Sequence, residues 1–501
     1  MKNSVIGLCM SVLVFVGVSC TPSVPDRYIA VGKLPVIYPD YIDVTIPQNI
    51  APLVFEINEK ADKYVTRLSA GAVELLFAGQ EVAPSVDEWR SLMQAAADGE
   101  VRVEVYTSLK DKWRAYTPFA FKVSPDSIDP YISYRLIPPS YVAYERLSIS
   151  QRNISTYDED IIYNNMLVTK EPDGQCINCH AYKNYRTDNM QFHVRQYKGG
   201  TVFVHNGEVF KVNMATDSTL SAGVYPAFNP VYDVVAYSVN KTGQIFHTKS
   251  SNKVEVQDVA SDVILFNPST LTVTPVANDT TKLEVFPWWS PDGRTIYYCS
   301  SHFPDMTGSK TAVEAEIKYY KDVKYSILRR SWNPETGEFG EVDTVFNAAK
   351  LGKSATFPRV SPTGKYLLFA MAEYGCFHIW HNDADLYVMD LETGDYWPLT
   401  EANSPYAESY HSWSSTGRWI LFASRRDDTN YSRLYIAYVG DGGRAEKAFL
   451  LPQQSADFYN FFDRSYNVPE FMLEPVRIEP YKFAEVVKGE PRTVKFVSPK
   501  K

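Results

Sequence analysis

The sequence has few cysteines, no long basic run and an excess of acidic over basic residues. Its 50 Lys and Arg residues compare with 59 Asp and Glu residues, which gives a formal net charge of −9. An acidic chain without a basic run binds nucleic acid poorly, so we expect no nucleic-acid partner. Charged residues make up 22% and hydrophobic residues 45% of the chain, a composition that excludes intrinsic disorder and a polytopic membrane protein.

Short motifs of several enzyme classes are also missing. The sequence contains no Gly-x-Ser-x-Gly elbow, no His-Glu-x-x-His helix and no phosphate-binding Gly-rich loop. His378 and His381 have an i, i+3 spacing, but one short pair does not define a metal site, and we treat His411 as another loop histidine. These absences favour an electron carrier or a binding protein over an enzyme.

The first 19 residues predict an export signal. Lys2 precedes an apolar stretch, residues 5–18, that is too short to span a bilayer, and Cys20 follows small residues. The pattern resembles a bacterial lipoprotein signal, in which this cysteine is lipidated. The alternative is an ordinary secretory signal with an incidental cysteine. Both export the chain, and an acylated Cys20 would anchor it stably to a membrane. Because no acidic run follows Cys20, we expect the outer membrane, facing the periplasm.

One motif carries specific chemistry. Residues 174–180 read GQCINCH, and Cys-x-x-Cys-His is the attachment signature of c-type haem. Cys176 and Cys179 would form thioethers with the porphyrin, and His180 would be the proximal iron ligand. The alternatives are a structural disulfide, a thioredoxin-like redox pair, for which no βαβ pattern flanks the motif, and a zinc site, for which no second cysteine pair exists.

Two residues compete as the sixth iron ligand. Met190 lies ten residues after His180, and methionine ligation suits electron transfer. His193 follows and would lower the redox potential if it were the ligand. The alternatives are a core methionine and a surface histidine. We prefer Met190 of the two ligands.

The part of the chain before the motif alternates apolar and polar residues in short runs. This pattern predicts a β-sandwich-like domain over 20–150. One helix is expected at 86–98, with Trp89, Leu92, Met93 and Ala96 on one face. A connector that carries the haem motif would span 151–198.

Four similar segments follow and predict a β-propeller. Each has an aromatic residue four positions before Asn or Ser, then a turn that feeds an apolar strand. In three of them Gly293, Gly364 and Gly417 supply the turn. The segments are 224–239, 285–300, 356–371 and 409–424. The extra length between them is expected in loops 241–258, 302–322 and 373–384.

The propeller is expected over 199–472, with a C-terminal tail at 473–501. Residues 199–214 would supply the outer hairpin and residues 457–472 the inner pair of a composite blade that closes the ring. This count gives five blades, and six if an inserted loop holds further strands.

The repeated aromatic-Pro-x-x-Ser-Pro-x-Gly pattern resembles the TolB-like β-propeller repeat. Together with YRLIPPSYVAYERLSISQR, GQCINCH and FHVRQYKGGT, it is similar to Bacteroidetes lipoproteins that join such a propeller to a c-type haem motif. The resemblance covers about residues 30–470. It implies a cytochrome-like lipoprotein with one covalent haem c, and it implies no defined reaction.

Three functions are consistent with these patterns. The first is a periplasmic, membrane-anchored c-type cytochrome that transfers single electrons and docks a redox or envelope protein on its propeller. The second is an envelope scaffold that binds a protein or a glycan, with a structural haem or none. The third is a peroxidase-like or sensor protein with an open iron site.

Overall fold

The computed structural model describes residues 22–138, 146–168, 174–250, 252, 254–304 and 307–498. Strands dominate this part of the chain, and the fold is mostly β, as the alternating sequence pattern predicts. The signal peptide and the expected lipidation site, Cys20, lie outside the described residues. No helix among the described residues combines the length and the apolar character needed to cross a bilayer.

The N-terminal region consists of short strands and one helix. They are, in chain order, β1 (Ile29–Ala30), β2 (Ile37–Tyr38), β3 (Thr45–Pro47), β4 (Phe55–Ile57), β5 (Lys63–Ala70), β6 (Val73–Ala78), β7 (Glu81–Val82), α1 (Val86–Ala95), β8 (Glu100–Leu109), β9 (Lys112–Ala115) and β10 (Phe119–Ser124). β2, β4 and β7 form a three-stranded sheet, and the other strands form a seven-stranded sheet. Both sheets and α1 contribute side chains to one hydrophobic core.

Helix α1 forms where the sequence predicts a helix, and it ends three residues earlier. Ser85 begins it with a capping box, in which the Ser85 side chain accepts from the Glu88 backbone N–H and the Glu88 carboxylate accepts from the Ser85 N–H. Its buried side chains are Trp89, Leu92 and Met93, and the Trp89 indole N–H donates to the carbonyl of Ile50 at 2.9 Å. The helix thus packs its buried face against the hydrophobic core of the N-terminal region.

The rest of the chain forms six sheets, which we label I to VI. Their strands, with the helices between and after them, are in chain order β11 (Tyr131–Ile137), β12 (Ser148–Asn153), β13 (Glu159–Asn164), β14 (Gln175–Lys183), β15 (Arg186–Gln196), β16 (Gly200–His205), β17 (Glu208–Asn213), β18 (Val224–Phe228), β19 (Val235–Phe246), β20 (Val254–Asn267), β21 (Thr272–Ala277), β22 (Lys282–Trp289), β23 (Thr295–His302), α2 (Ala312–Tyr319), β24 (Ser326–Ser331), β25 (Asp343–Phe346), β26 (Ser354–Val360), β27 (Tyr366–Ala372), β28 (Asp385–Asp390), β29 (Tyr396–Pro398), β30 (Glu408–Trp413), β31 (Trp419–Ser424), β32 (Arg433–Tyr438), β33 (Phe449–Leu450), α3 (Phe458–Phe461), β34 (Ser465–Met472), α4 (Pro480–Lys488), β35 (Arg492–Thr493) and β36 (Lys495–Phe496).

Each sheet is built on a four-stranded antiparallel meander. Sheet I is β14–β17, sheet II is β18–β21, sheet III is β22–β25, sheet IV is β26–β29 and sheet V is β30–β33. Sheet VI has the order β34-β11-β12-β13, so its first strand comes from the C-terminal part of the chain. The first strands of all six sheets border one central cavity. Meandering sheets around a shared axis make this a β-propeller-like fold.

Two sheets differ from the predicted organisation. Strands β16 and β17 pair with β14 and β15, which lie in the predicted connector, so sheet I crosses the expected boundary at residue 198/199. Strand β34 pairs with β11 and not with residues 199–214, and β12 crosses the expected boundary at residue 150. The expected five-blade pairing is therefore wrong in these two sheets, because the strands of the predicted connector were not recognised.

The C-terminal tail also forms strands. β35 adds in parallel to β17 of sheet I, and β36 adds in parallel to β21 of sheet II. Helix α4 buries Phe483, Ala484 and Val487 against sheets I and VI. The predicted loop 241–258 is largely strand, because β19 and β20 extend as a long hairpin beyond sheet II.

The N-terminal region packs against sheet V. Asp129 accepts from the backbone N–H of Ser415 at 2.7 Å, and the Trp419 indole N–H donates to the carbonyl of Asp126 at 3.2 Å. The hydroxyl of Tyr438 donates to the Asp126 carboxylate at 2.8 Å. Side chains of both regions share one hydrophobic core, which fixes the N-terminal region to this sheet.

Candidate functional site

The same backbone irregularity occurs in the first strand of every sheet I–VI. One residue of each strand has a positive φ of 47° to 56°, and the ladder to the second strand shifts register at that point, as in a β-bulge. A positive φ is uncommon for residues other than glycine. These six bulge residues are Cys179, Tyr225, Phe286, Phe357, Tyr410 and Val468. All of them line the central cavity.

The residue after the bulge is proline in four sheets and histidine in two. The prolines are Pro226, Pro287, Pro358 and Pro469, and all four border the cavity. In sheets I and V the position holds His180 and His411 instead. Since four of the six sheets have proline here, the backbone conformation at this position is compatible with proline. The two imidazoles are therefore departures that the fold itself does not require.

His180 is a buried residue of the cavity wall, with 2% of its surface exposed. Within the described part of the chain, neither of its ring nitrogens makes a hydrogen bond of normal geometry. Burial, and next the positive charge of Arg135, lowers the pKa of His180 to about 4. The ring is therefore neutral near pH 7, with one nitrogen able to donate and the other able to accept.

His411 is buried in the same wall and has a defined tautomer. Its Nε2 atom lies 2.7 Å from the carbonyl oxygen of Phe357, to which it must donate. Its Nδ1 atom has no hydrogen-bond partner among the residues described. Burial, and next the charge of Arg359, lowers the pKa of His411 to about 3. The ring is thus a neutral acceptor at Nδ1.

A largely buried ion pair completes the polar part of the cavity. The Arg359 guanidinium of sheet IV donates to the Glu470 carboxylate of sheet VI at 3.2 Å. The guanidinium also lies over the Trp288 ring, 3.8 Å from its centroid. Burial raises the pKa of Glu470 and lowers the pKa of Arg359, while the mutual attraction opposes both shifts. Arg359 Nε has no partner in the described residues and remains a free donor.

Aromatic side chains fill the centre of the cavity. The rings of Phe286 and Phe357 stack with centroids 3.9 Å apart, and Tyr225 and Tyr410 contact them edge-on at 4.8 Å and 5.0 Å. Phe377, from the segment between β27 and β28, packs against Phe286 at 5.6 Å. The space left for the centres of water-sized molecules is about 30 Å³, room for roughly two or three waters.

The haem motif lies in β14, the first strand of sheet I. Ile177 and Asn178, between the two cysteines, pair with Val194 and His193 of β15, whereas Cys179 and His180 lie at the bulge where this ladder shifts register. Cys176 is half-buried, and its sulfur lies 3.4 Å from Nη2 of Arg135 in sheet VI. Cys179 is the bulge residue beside the aromatic layer, where burial raises its thiol pKa.

The residues of the motif do not fit a covalent haem in this arrangement. A porphyrin is far larger than the space beside His180, which holds a few waters. Met190 is fully buried in the apolar core shared by sheets I and VI. His193 lies three residues further along the same strand and contacts Thr201, with Nδ1 3.0 Å from Oγ1. The structure therefore brings neither sixth-ligand candidate into the cavity wall with His180.

No metal site forms in the described residues. No three His, Cys, Asp or Glu side chains in that part of the chain are close enough to hold an ion. His378 is engaged on both sides, with Nδ1 3.1 Å from the Thr356 hydroxyl and Nε2 3.1 Å from the Gly375 carbonyl. His381 pairs with the buried Glu255 at 2.9 Å. Both histidines therefore have partners within the fold, and they lie in the segment between β27 and β28.

Sequence reasoning missed three residues of this site. His411 was treated as a loop residue, and neither Arg359 nor Glu470 was considered. The repeats carried a signal for His411 and Arg359. When the aromatic-Pro pairs are aligned, His411 stands where the other copies have proline, and Arg359 directly follows the proline of its own copy. Of the polar residues that line the cavity, only His180 was predicted from the sequence, as the proximal iron ligand of the haem motif.

Comparisons with known proteins assign no family. No family model matches the sequence, and no curated protein matches it. Among solved structures, an oligogalacturonate lyase in complex with manganese aligns over 82% of this chain and 99% of its own, with 13% identity and a TM-score of 0.32. Prolyl oligopeptidase B from Galerina marginata aligns over 81% and 54%, with 7% identity and a TM-score of 0.35. A DUF4784 family protein from Bacteroides caccae aligns over 74% and 96%, with 7% identity and a TM-score of 0.29.

Proposed function

We propose that the protein is a cell-envelope binding protein built on a six-bladed propeller, and that its cavity binds the terminal hydroxyl groups of a carbohydrate. One observation carries the proposal. In the six sheets, the position that holds proline in four holds a buried histidine in two, and His180 and His411 both line the cavity and each have a ring nitrogen without a hydrogen bond of normal geometry. Other buried polar atoms of the described residues also lack partners, but those of His180, His411 and Arg359 belong to side chains that line the same cavity.

The chemistry of the lining favours hydroxyl groups. His411 Nδ1 accepts, Arg359 Nε donates, and the two nitrogens of neutral His180 do one of each. A hydroxyl both donates and accepts, so it can satisfy such a mixed set. The charges of Arg359 and Glu470 cancel, so the site does not select an ion. The space has room for roughly two or three waters, so it admits the hydroxyl groups of a terminal sugar and not the sugar ring itself.

The ring of sheets suits a rigid binding protein. Pairing of β34 with β11 joins the two ends of the ring and leaves no open sheet edge at the junction. The bulges hold the cavity residues on first strands and not on loops, which fixes their relative positions. We place the protein on the outer membrane, facing the periplasm and anchored through lipid on Cys20, because of the signal pattern.

Saturation-transfer NMR on the full chain tests the proposal. The probes are oligosaccharides that end in a neutral hexose, an N-acetylhexosamine or a hexuronate. We expect transfer to the terminal sugar of at least one probe. His180→Pro and His411→Pro restore the repeat, so they should abolish transfer while the fold persists. His205→Ala is the matched control, because this histidine pairs with Asp233 outside the cavity. Transfer to no probe, or equal transfer in the proline variants, would overturn the proposal.

Haem c attachment is the second candidate, and the spacing of Cys176, Cys179 and His180 favours it. A covalent haem would supply one-electron redox chemistry, and the protein would then be a c-type cytochrome of the envelope. A pyridine haemochrome spectrum of protein made in a host that attaches haem c decides the matter. Because the motif lies in a paired strand, we expect no covalent haem. A covalent signal that disappears in Cys176→Ala and Cys179→Ala would establish the cytochrome instead.

A further inference from the structure

Four large apolar side chains are exposed within nine residues at the start of the N-terminal region. The exposed fractions are 50% for Tyr28, 65% for Ile29, 43% for Leu34 and 55% for Val36. We call residues 28–36 the N-terminal apolar segment. Single exposed apolar residues are common on protein surfaces, but a concentration of four in one short segment marks an interaction surface.

Backbone hydrogen bonds hold this segment in place. The N–H of Val31 donates to the carbonyl of Ala115 at 2.9 Å, and the N–H of Thr117 donates to the carbonyl of Lys33 at 2.9 Å. The N–H of Asn58 donates to the carbonyl of Val36 at 2.7 Å. The apolar side chains are therefore presented by a fixed backbone.

Basic side chains lie beside the segment. In strand β9, Arg114 is the partner of Ile29 in the parallel pair, and Lys112 lies two residues before it; both are exposed. Apolar side chains next to Lys and Arg are the composition that binds the interface of a bilayer, since the apolar groups enter the headgroup boundary and the cations attract anionic lipids.

The distance from the expected anchor limits where the segment can lie. Tyr28 is eight residues after Cys20 in the sequence. Eight residues span at most roughly 26–29 Å when fully extended. A lipidated Cys20 therefore keeps the segment within that distance of the membrane surface, and no long linker separates them.

We propose that the N-terminal apolar segment lies in the interface of the bilayer that anchors the protein, so that this region rests on the membrane. The inference depends on lipidation at Cys20, which belongs to the proposed location of the protein. It does not depend on the identity of the cavity ligand.

Fluorescent labelling of the full, lipidated chain in vesicles tests this contact. The vesicles contain phosphatidylethanolamine and phosphatidylglycerol, with and without a nitroxide-labelled lipid. Ile29→Cys and Val36→Cys each carry an environment-sensitive dye. The controls are Val342→Cys, immediately before β25, and Leu351→Cys, between β25 and β26, whose native side chains are 50% and 51% exposed. The parent protein, treated identically, gives the contribution of the native thiols.

We expect the dye at positions 29 and 36 to shift its emission to shorter wavelength and to lose most of its intensity to the nitroxide lipid, while positions 342 and 351 show neither change. Equal behaviour at all four positions in a protein that floats with the vesicles would overturn the contact alone. A shift without nitroxide quenching, in a protein that is dimeric by light scattering, would assign the segment to a second copy and also overturn it. A protein whose Cys20 carries no lipid by mass spectrometry and that does not float would instead refute the proposed anchor, and the contact with it.

Discussion

Nε2 of His411 donates a 2.7 Å hydrogen bond to the carbonyl of Phe357 in the neighbouring sheet. This bond fixes which ring nitrogen carries the hydrogen, so Nδ1 keeps a lone pair beside the cavity. Because the pKa of His411 is lowered to about 3, this acceptor persists across the physiological pH range. The relationship between the two sheets thus sets the polarity of the candidate site.

Replacing either cavity histidine by proline should leave the fold intact. Four sheets already have proline after the bulge, so the backbone geometry at His411 suits it. His411→Pro removes one hydrogen bond, which lowers the free energy of unfolding by about 1 kcal/mol. Proline also restricts the unfolded chain, which raises the free energy of unfolding by about 0.4–1 kcal/mol. We expect a change in the free energy of unfolding of less than about 1 kcal/mol in urea titrations. Ser412→Pro, one residue further into the ladder, should destabilise the protein clearly more, and an equal loss in both variants would contradict the argument.

Removing only one partner of the ion pair between Arg359 and Glu470 should lower the free energy of unfolding strongly. Glu470→Leu leaves the guanidinium buried without its partner, so we expect a loss of about 3 kcal/mol in the free energy of unfolding. Arg359→Met combined with Glu470→Leu removes both charges and should recover much of that loss. Urea unfolding of the two single variants and the double variant measures the coupling. If the double variant loses as much free energy of unfolding as the two single variants together, the coupling is refuted.

Glu408 should make stability fall as pH rises. Burial raises its pKa to about 7, while Arg426, Ser404 and Ser424 partly oppose the shift. The folded state therefore holds a proton that the unfolded state releases near pH 4.5, and the protein loses stability between about pH 4.5 and 7. Glu408→Gln removes this dependence. We expect the stability of the parent relative to the variant to fall by up to roughly 3 kcal/mol from pH 5 to pH 8. A constant difference across that range would contradict the raised pKa.

Thiol reactivity should separate Cys176 from the other described cysteines. Cys176 is half-buried, whereas Cys179, Cys299 and Cys376 are buried. Among these four described cysteines of the folded, haem-free protein, we expect one fast-reacting thiol and three that react only after unfolding, as measured with a thiol-reactive dye and mass spectrometry. Cys176→Ser should remove the fast phase. In protein made in a host that attaches haem c, protection of both Cys176 and Cys179 after unfolding and reduction would instead indicate thioether bonds to haem.

The sequence repeats predicted sheets II to V well because each keeps an aromatic residue four positions before Asn or Ser, and sheets III to V also keep a turn glycine. Gly293, Gly364 and Gly417 have φ values of 68°, 76° and 68°, as a turn that needs a left-handed residue requires. Sheet I lacks these signals. Its bulge pair is Cys179-His180 in place of an aromatic residue and proline, and its turn uses Asn184 and Tyr185 at positive φ where sheets III, IV and V use glycine.

Sheet VI could not be predicted from local patterns at all. Its first strand, β34, pairs with β11, which precedes it by more than 300 residues, and no short-range signal specifies such a pair. The cavity site shares this difficulty. Arg359 and Glu470 belong to different sheets, so their contact becomes visible only when the ring of sheets is assembled.

Because sheet VI combines strands from distant parts of the chain, its strands cannot all pair at the same time. A chain is synthesised from its N-terminus, so β11, β12 and β13 are present long before β34. Until then β11 has an unpaired edge, which is a site for wrong pairing with other strands. Bringing β34 to β11 closes a loop of several hundred residues, which is a slow, non-local step. Completion of the ring therefore waits for the last part of the chain.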